Sequence, residues 1–227
     1  MTNADNYQFI ETAANIINLW VKKGAEIGIV IDDDADGYTS SAMLYQYLNQ
    51  KIKAEKSKSK LIPIISPHKE HGFCKLFENY EFTEDMPKQV IIPDAGSNDV
   101  NYMEQLKDAG ISFIIIDHHD IEAPAQHFFK NNTNKFCLLV NNMAYYNDNP
   151  NKELTGVGMV YKTLQTLNEM TNKNYKISKS LFAIGEIADC ADVSNLEIRK
   201  IMVDGLKNID NKFLKQYFPG EYNRPLA

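Results

Sequence analysis

The chain has 227 residues, 44% apolar and 24% charged, which suits a globular protein with one full core or at most two small ones. A formal net charge of −6 argues against a broadly basic nucleic-acid coat but leaves room for a local basic groove. Cys74, Cys137 and Cys190 are odd in number, widely spaced and without a Cys-x-x-Cys pair, which argues against a disulfide framework or structural zinc and fits a reducing, cytoplasmic setting. No basic-then-apolar segment opens the sequence, so no signal peptide is expected, and no apolar run approaches the ~18 residues of a membrane span.

Phe9, Ile10, Ala13, Ile16, Ile17 and Trp20 recur at helical spacing between Tyr7 and Lys23, and Gly24 closes that helix. A strand over 27–31 follows, then the acidic run Asp32, Asp33, Asp34, Asp36 and a helix from about Thr39 to Asn49. Neighbouring carboxylates about 4 Å apart repel by roughly 1 kcal/mol per pair even in water, so a cation or a solvated turn is needed to relieve them. An EF-hand loop is a poor fit, because Met43 stands where the twelfth-position Glu belongs and a strand precedes the loop. Taken alone, the run leaves a metal site and a solvated turn both open.

The lysines at 51, 53, 56, 58 and 60 read as a loop, either solvated or available to phosphate. A second strand over 61–65 leads into His68, Lys69 and His71, which are phosphate-contacting groups or ordinary surface residues. A third strand, 89–93, ends in Asp94; a helix over about 99–109 follows and stops at Gly110. The fourth strand, 111–116, ends in Asp117, His118 and His119, and a fifth, 136–140, ends in Asn141 and Asn142. Strand, turn and helix in this order predict a parallel α/β sheet, in which ligands gather at the carboxyl ends of the strands. Three buried-type strands ending in metal-ligating residues therefore point to one shared metal site.

Beyond Asn142 the pattern turns helical: a helix after Thr155 and Gly156 to about Met170, another over 178–190 containing Asp189, and a third over 196–206. Thr155 reads at least as an N-cap. An Asp at the end of an apolar helix opposes the helix dipole unless something cationic receives it.

The ordered set Asp34-Ala35-Asp36-Gly37, Asp94-Ala95-Gly96, Asp117-His118-His119 and Ala188-Asp189 resembles the DHH phosphoesterase superfamily, over about residues 25–206. Asp32 before the first motif, Leu154-Thr155-Gly156-Val157-Gly158 and Gly185-Glu186-Ile187-Ala188-Asp189 lean towards the RecJ-type single-strand exonucleases. The resemblance implies a parallel sheet of about five strands flanked by helices, then a helical C-terminal portion. It implies two manganese or magnesium ions, with Asp34 and Asp36 on one ion each, Asp94 bridging, and His118 and Asp189 completing the second site. His119, with Asp117 and Asp32, is expected in catalysis, and Thr155 and Gly156, with His68, Lys69 and His71, at the substrate.

Two departures qualify this picture. Many relatives carry a histidine two residues before the first motif aspartate, where this chain has Val30, with Asp32 as the candidate replacement. The family's C-terminal Gly-Gly-His motif occurs nowhere, so residues 1–227 read as a single DHH domain that is either a piece of a longer protein or a minimal form, working on short substrates or with a partner protein that supplies the missing substrate grip.

The expected activity is 5′-to-3′ exonuclease action on single-stranded DNA in recombination or repair. The alternatives are a nanoRNA or cyclic-dinucleotide phosphodiesterase and a non-catalytic scaffold of DNA replication or recombination. A haloacid-dehalogenase-type phosphatase is weaker: Asp36 stands where that motif wants Thr or Val, and the paired histidines would go unexplained.

Overall fold

The computed structural model describes residues 4–65, 72, 86–132, 137–143 and 152–217. Helix α1 (Ala4–Lys22) buries Ile10, Ala13, Ala14, Ile17 and Val21, the stripe expected from its spacing. It is followed by β1 (Glu26–Val30), α2 (Ala35–Glu55), β2 (Lys60–Ile64), β3 (Gln89–Pro93) and α3 (Val100–Asp108). Then come β4 (Ser112–Asp117), α4 (Ala123–Asn132) and β5 (Cys137–Asn141). The last helices are α5 (Gly156–Thr171), α6 (Lys179–Ala188), α7 (Leu196–Lys207) and α8 (Lys212–Tyr217).

The five strands form one sheet in the order β2-β1-β3-β4-β5, parallel throughout. Alternate side chains enter two cores, as a sheet covered on both faces requires. Ile91 of β3 joins Ile114 and Leu138 in the core shared with α1, α2, α5, α6 and α7, whereas Val90 and Ile92 join Phe113, Ile115 and Leu139 in the core shared with α3 and α4. The strands β1, β3 and β4 are neighbours, so their carboxyl ends stand side by side.

Two sequence expectations are corrected here, and one helix is added. Helix α2 begins at Ala35, four residues earlier than expected, because Asp34 caps it by accepting the Gly37 N–H at 2.8 Å; Asp36 is therefore a first-turn helical residue. Helix α4 went unanticipated, since only Ala125, Phe128 and Phe129 of its ten residues are buried, too short a stripe to announce a period.

The lysines do not form one loop: of the five, only Lys58 lies in the segment 57–59 between α2 and β2. Lys51 and Lys53 lie in α2, Lys56 caps it, and Lys60 opens β2. Lys51 is wholly buried against Glu55 at 2.6 Å, and Lys60 pairs with Glu26 at 2.7 Å. Glu26 and Lys60 are register partners at the start of β1 and β2, the sheet edge opposite the acidic one. The 21-residue α2 separates the two ends by roughly 30 Å, at ~1.5 Å per residue.

Candidate metal centre

Asp36 is buried and is held at both oxygens: Oδ2 accepts the Gly156 N–H at 2.7 Å and Oδ1 the Val157 N–H at 3.0 Å. The N-terminus of α5 thus aims its unpaired N–H groups at an acid of α2. Burial nonetheless pushes the carboxyl above its ordinary range. Gly185 permits this crowding, since a Cβ there would lie 2.6 Å from Asp36 Oδ1.

Asp94 follows β3 in a left-handed conformation (φ 62°), pinned by its N–H to the Ile116 carbonyl at 2.8 Å. It is 1% exposed, and its Oδ1 has no hydrogen-bond partner among the described residues. That oxygen lies 3.3 Å from His118 Nε2. Burial, then the negative charges of Asp36, Asp117 and Asp34, push Asp94 up to about 11.

Asp117 ends β4 fully enclosed. Burial alone would raise it, but hydrogen bonds from His119, Ser97 and the His118 N–H hold it down at about 2. Its Oδ1 lies 2.7 Å from His119 Nδ1, and this bond lifts His119 to about 9 against partial burial. The His119 side chain is 58% exposed. Asn141, at the end of β5, donates to the His119 carbonyl at 3.0 Å and to Ser97 Oγ at 2.9 Å, tying the two loops together. His118 Nε2 turns the other way, 3.6 Å from Asp189 Oδ2 at the C-cap of α6.

Ligand atoms of Asp32, Asp34 and Asp94 converge within 4.8 Å of one another, and so do those of Asp36, His118 and Asp189. A third overlapping set joins Asp94, Asp117, His118 and His119. Carboxylates with imidazole form a donor set suited to manganese, and the buried Asp94 oxygen, without a hydrogen-bond partner among the described residues, is the kind of atom that a cation satisfies. Asp32, Asp34, Asp94, Asp117 and His119 line a cleft of about 300 Å³ together with the loop 95–99.

Eight of the residues singled out in the sequence therefore meet at one sheet edge. Thr155 and Gly156 lie behind Asp36, both buried. His68, Lys69 and His71 fall outside the described residues. Sequence reasoning missed Asn141 and Glu186. Asn141 had only its strand-end position to signal it. Glu186, inside a quoted motif, is fully buried, and burial followed by the charge of Asp36 pushes it up to about 8.

The family model described as "DHH family, N-terminal domain" matches residues 26–191. The chain belongs to the DHH family. This DHH chain is 37% identical over 213 residues to YorK of Bacillus subtilis (strain 168), named as an SPbeta prophage-derived single-strand DNA-specific exonuclease. The Bacillus phage SPbeta protein of that name matches equally. The alignment takes in 92% of this chain and 33% of either relative, so the chain spans about a third of their length.

Among solved structures, exonuclease RecJ bound to manganese superposes with a TM-score of 0.66 at 23% identity, over 87% of this chain and 47% of that one. RecJ of Thermus thermophilus in complex with Mn2+ gives 0.62 at 22%, over 87% and 26%. The DHH domain of a protein described as a member of the s1p family of ribosomal proteins gives 0.62 at 19%, over 90% and 49%. These likenesses establish a RecJ-like DHH fold.

Proposed function

We propose that this DHH domain is a metal-dependent phosphodiesterase of single-stranded nucleic acid, acting on DNA from the 5′ end in recombination or repair. The observation that carries the proposal is the chain of overlapping ligand clusters: Asp94 belongs to two of them and His118, 3.3 Å from Asp94 Oδ1, joins these to the Asp36 and Asp189 set, while that buried Oδ1 has no hydrogen-bond partner among the described residues. The single-strand exonuclease name borne by a 37% identical relative supports the choice of substrate.

Asp34 and Asp36 would hold one ion each, Asp32 would join the first, Asp94 would serve both, and His118 and Asp189 would complete the second. Two Mn2+ or Mg2+ ions there supply Lewis acidity towards a phosphoryl group and a nucleophile from water at neutral pH. His119 stands at the cleft with Nδ1 committed to Asp117, which leaves Nε2 as the nitrogen that protonates the leaving oxygen. Asp117 orients that ring and stabilises its charged form, as Asn141 fixes its backbone. Thr155 and Gly156 serve the substrate indirectly, by holding Asp36. The lysines at 51–60 stand at the other edge and take no part.

The test is a substrate panel in manganese and in EDTA: single-stranded DNA labelled at either end, short RNA, cyclic dinucleotides and pyrophosphate. Manganese-dependent release of nucleotides from the 5′ end of DNA is the expected result. Hydrolysis confined to short RNA or cyclic dinucleotides would overturn the substrate, and bound metal with no hydrolysis of any member would make the domain a scaffold.

A further inference from the structure

Glu186 is the buried acid for which the chemistry above has no use. It lies on α6, three residues before Asp189, at 0% exposure, and neither Oε1 nor Oε2 has a hydrogen-bond partner among the described residues. A carboxyl stripped of water and left unpaired opposes folding, so its presence needs a compensating role. Its pocket exists because residue 158 is glycine, where any Cβ would collide with Oε1. The N–H and hydroxyl of Thr155 favour its charged form without reaching hydrogen-bond geometry, and Asp36 and Asp189 act on it electrostatically in the opposite sense.

Thr155 shares this predicament. It occupies the N-cap of α5 without making the side-chain cap bond, and its buried Oγ1 also has no hydrogen-bond partner among the described residues. The hydroxyl nonetheless favours the charged form of two acids, Asp36 and Glu186. The next two N–H groups of the chain, Gly156 and Val157, are those that grip Asp36.

We propose that Glu186 is a positioning residue for Asp36: it packs against the first turn of α5 at Gly158, and so fixes the carboxylate that faces His118 and Asp189. This rests on the reading of Asp36, His118 and Asp189 as an ion site. Groups that orient a ligand from behind typically change metal affinity by ~10–100-fold when removed.

The experiment compares Glu186→Gln, which keeps length and polarity, with Glu186→Met, which keeps volume alone. Mn2+ is titrated by calorimetry without substrate, and thermal melts check that each variant is folded. Glu186→Met is expected to weaken one of the two ions by ~10-fold or more, Glu186→Gln to stay within about threefold, and Thr155→Val to reproduce the loss. If Glu186→Met binds both ions as the wild type does, the proposal is overturned. If Glu186→Gln loses as much as Glu186→Met, Glu186 is itself a charged ligand, and the proposal is overturned equally. Should the wild type bind manganese yet leave single-stranded DNA intact, the substrate assignment fails while this comparison still decides the role of Glu186.

Discussion

Asp117 Oδ1 lies 2.7 Å from His119 Nδ1, within one strand-end turn that also gives that oxygen the His118 N–H at 2.7 Å. One carboxylate therefore fixes both the tautomer and the charge of the histidine that stands at the cleft. Its neighbour His118 is left to face Asp94 and Asp189.

Removing the Asp117 charge by Asp117→Asn should bring His119 from about 9 back towards 6.5 in metal-free protein, read by NMR titration of the ring. The raised His119 contributes stability that is complete below 6.5 and lost as pH rises through about 9. The depressed Asp117 contributes stability present above 3.8 and lost as pH falls through about 2. The stability difference between wild type and variant should therefore be largest between these windows, near pH 4 to 6.5, and should narrow above about 9. An unmoved His119 titration would contradict the pairing.

Asp94 has the opposite sign. Its folded-state value of about 11 against an ordinary 3.8 means that the folded, metal-free protein binds a proton that the unfolded chain releases, so stability falls as pH rises between those values. Asp94→Asn removes that dependence and tolerates the left-handed backbone at this position. In EDTA, the wild-type melting temperature should drop from pH 5 to pH 8 and that of Asp94→Asn should stay flatter. Parallel curves would contradict the crowding of charge around Asp94.

Much of this arrangement was legible in the sequence because a parallel sheet turns strand order into geometry. Asp34, Asp94 and Asp117 each follow a recognisable apolar run, and β1, β3 and β4 are neighbours, so reading the strands placed the acids together. Asp189 is reached through α6 packing on α2, which the motif resemblance supplied and no local period revealed. Glu186 was invisible because a glutamate in a helix normally faces water. The glycine at 158 leaves the room that lets it lie inside. The lysine run misled for a related reason: charge density in sequence says nothing about which edge of a sheet it occupies.

Charge reversal of the exposed lysines tests that edge assignment. Lys56→Glu with Lys58→Glu should leave the KM for single-stranded DNA within about twofold, since charges farther off than a Debye length of ~8 Å are screened at physiological salt. A tenfold rise in KM would return those lysines to the substrate path.

Gly185→Ala probes the crowding of α6 on α2. A methyl group there meets Thr39 Oγ1 and Asp36 Oδ1, so Asp36 must move off the Gly156 and Val157 N–H groups. Small-to-large changes in packed sites typically cost ~1–3 kcal/mol. Denaturant unfolding should show a loss of that size together with weakened manganese binding, and a variant as stable and as metal-competent as the wild type would contradict the contact.

The central claim, that two ions share the Asp94 carboxylate at one sheet edge, is tested most directly by manganese calorimetry on the wild type and Asp94→Asn side by side. The account predicts two ions bound by the wild type and neither bound with comparable affinity by the variant, with both proteins folded by circular dichroism. A single ion in the wild type, or two ions retained at wild-type affinity in Asp94→Asn, would contradict it.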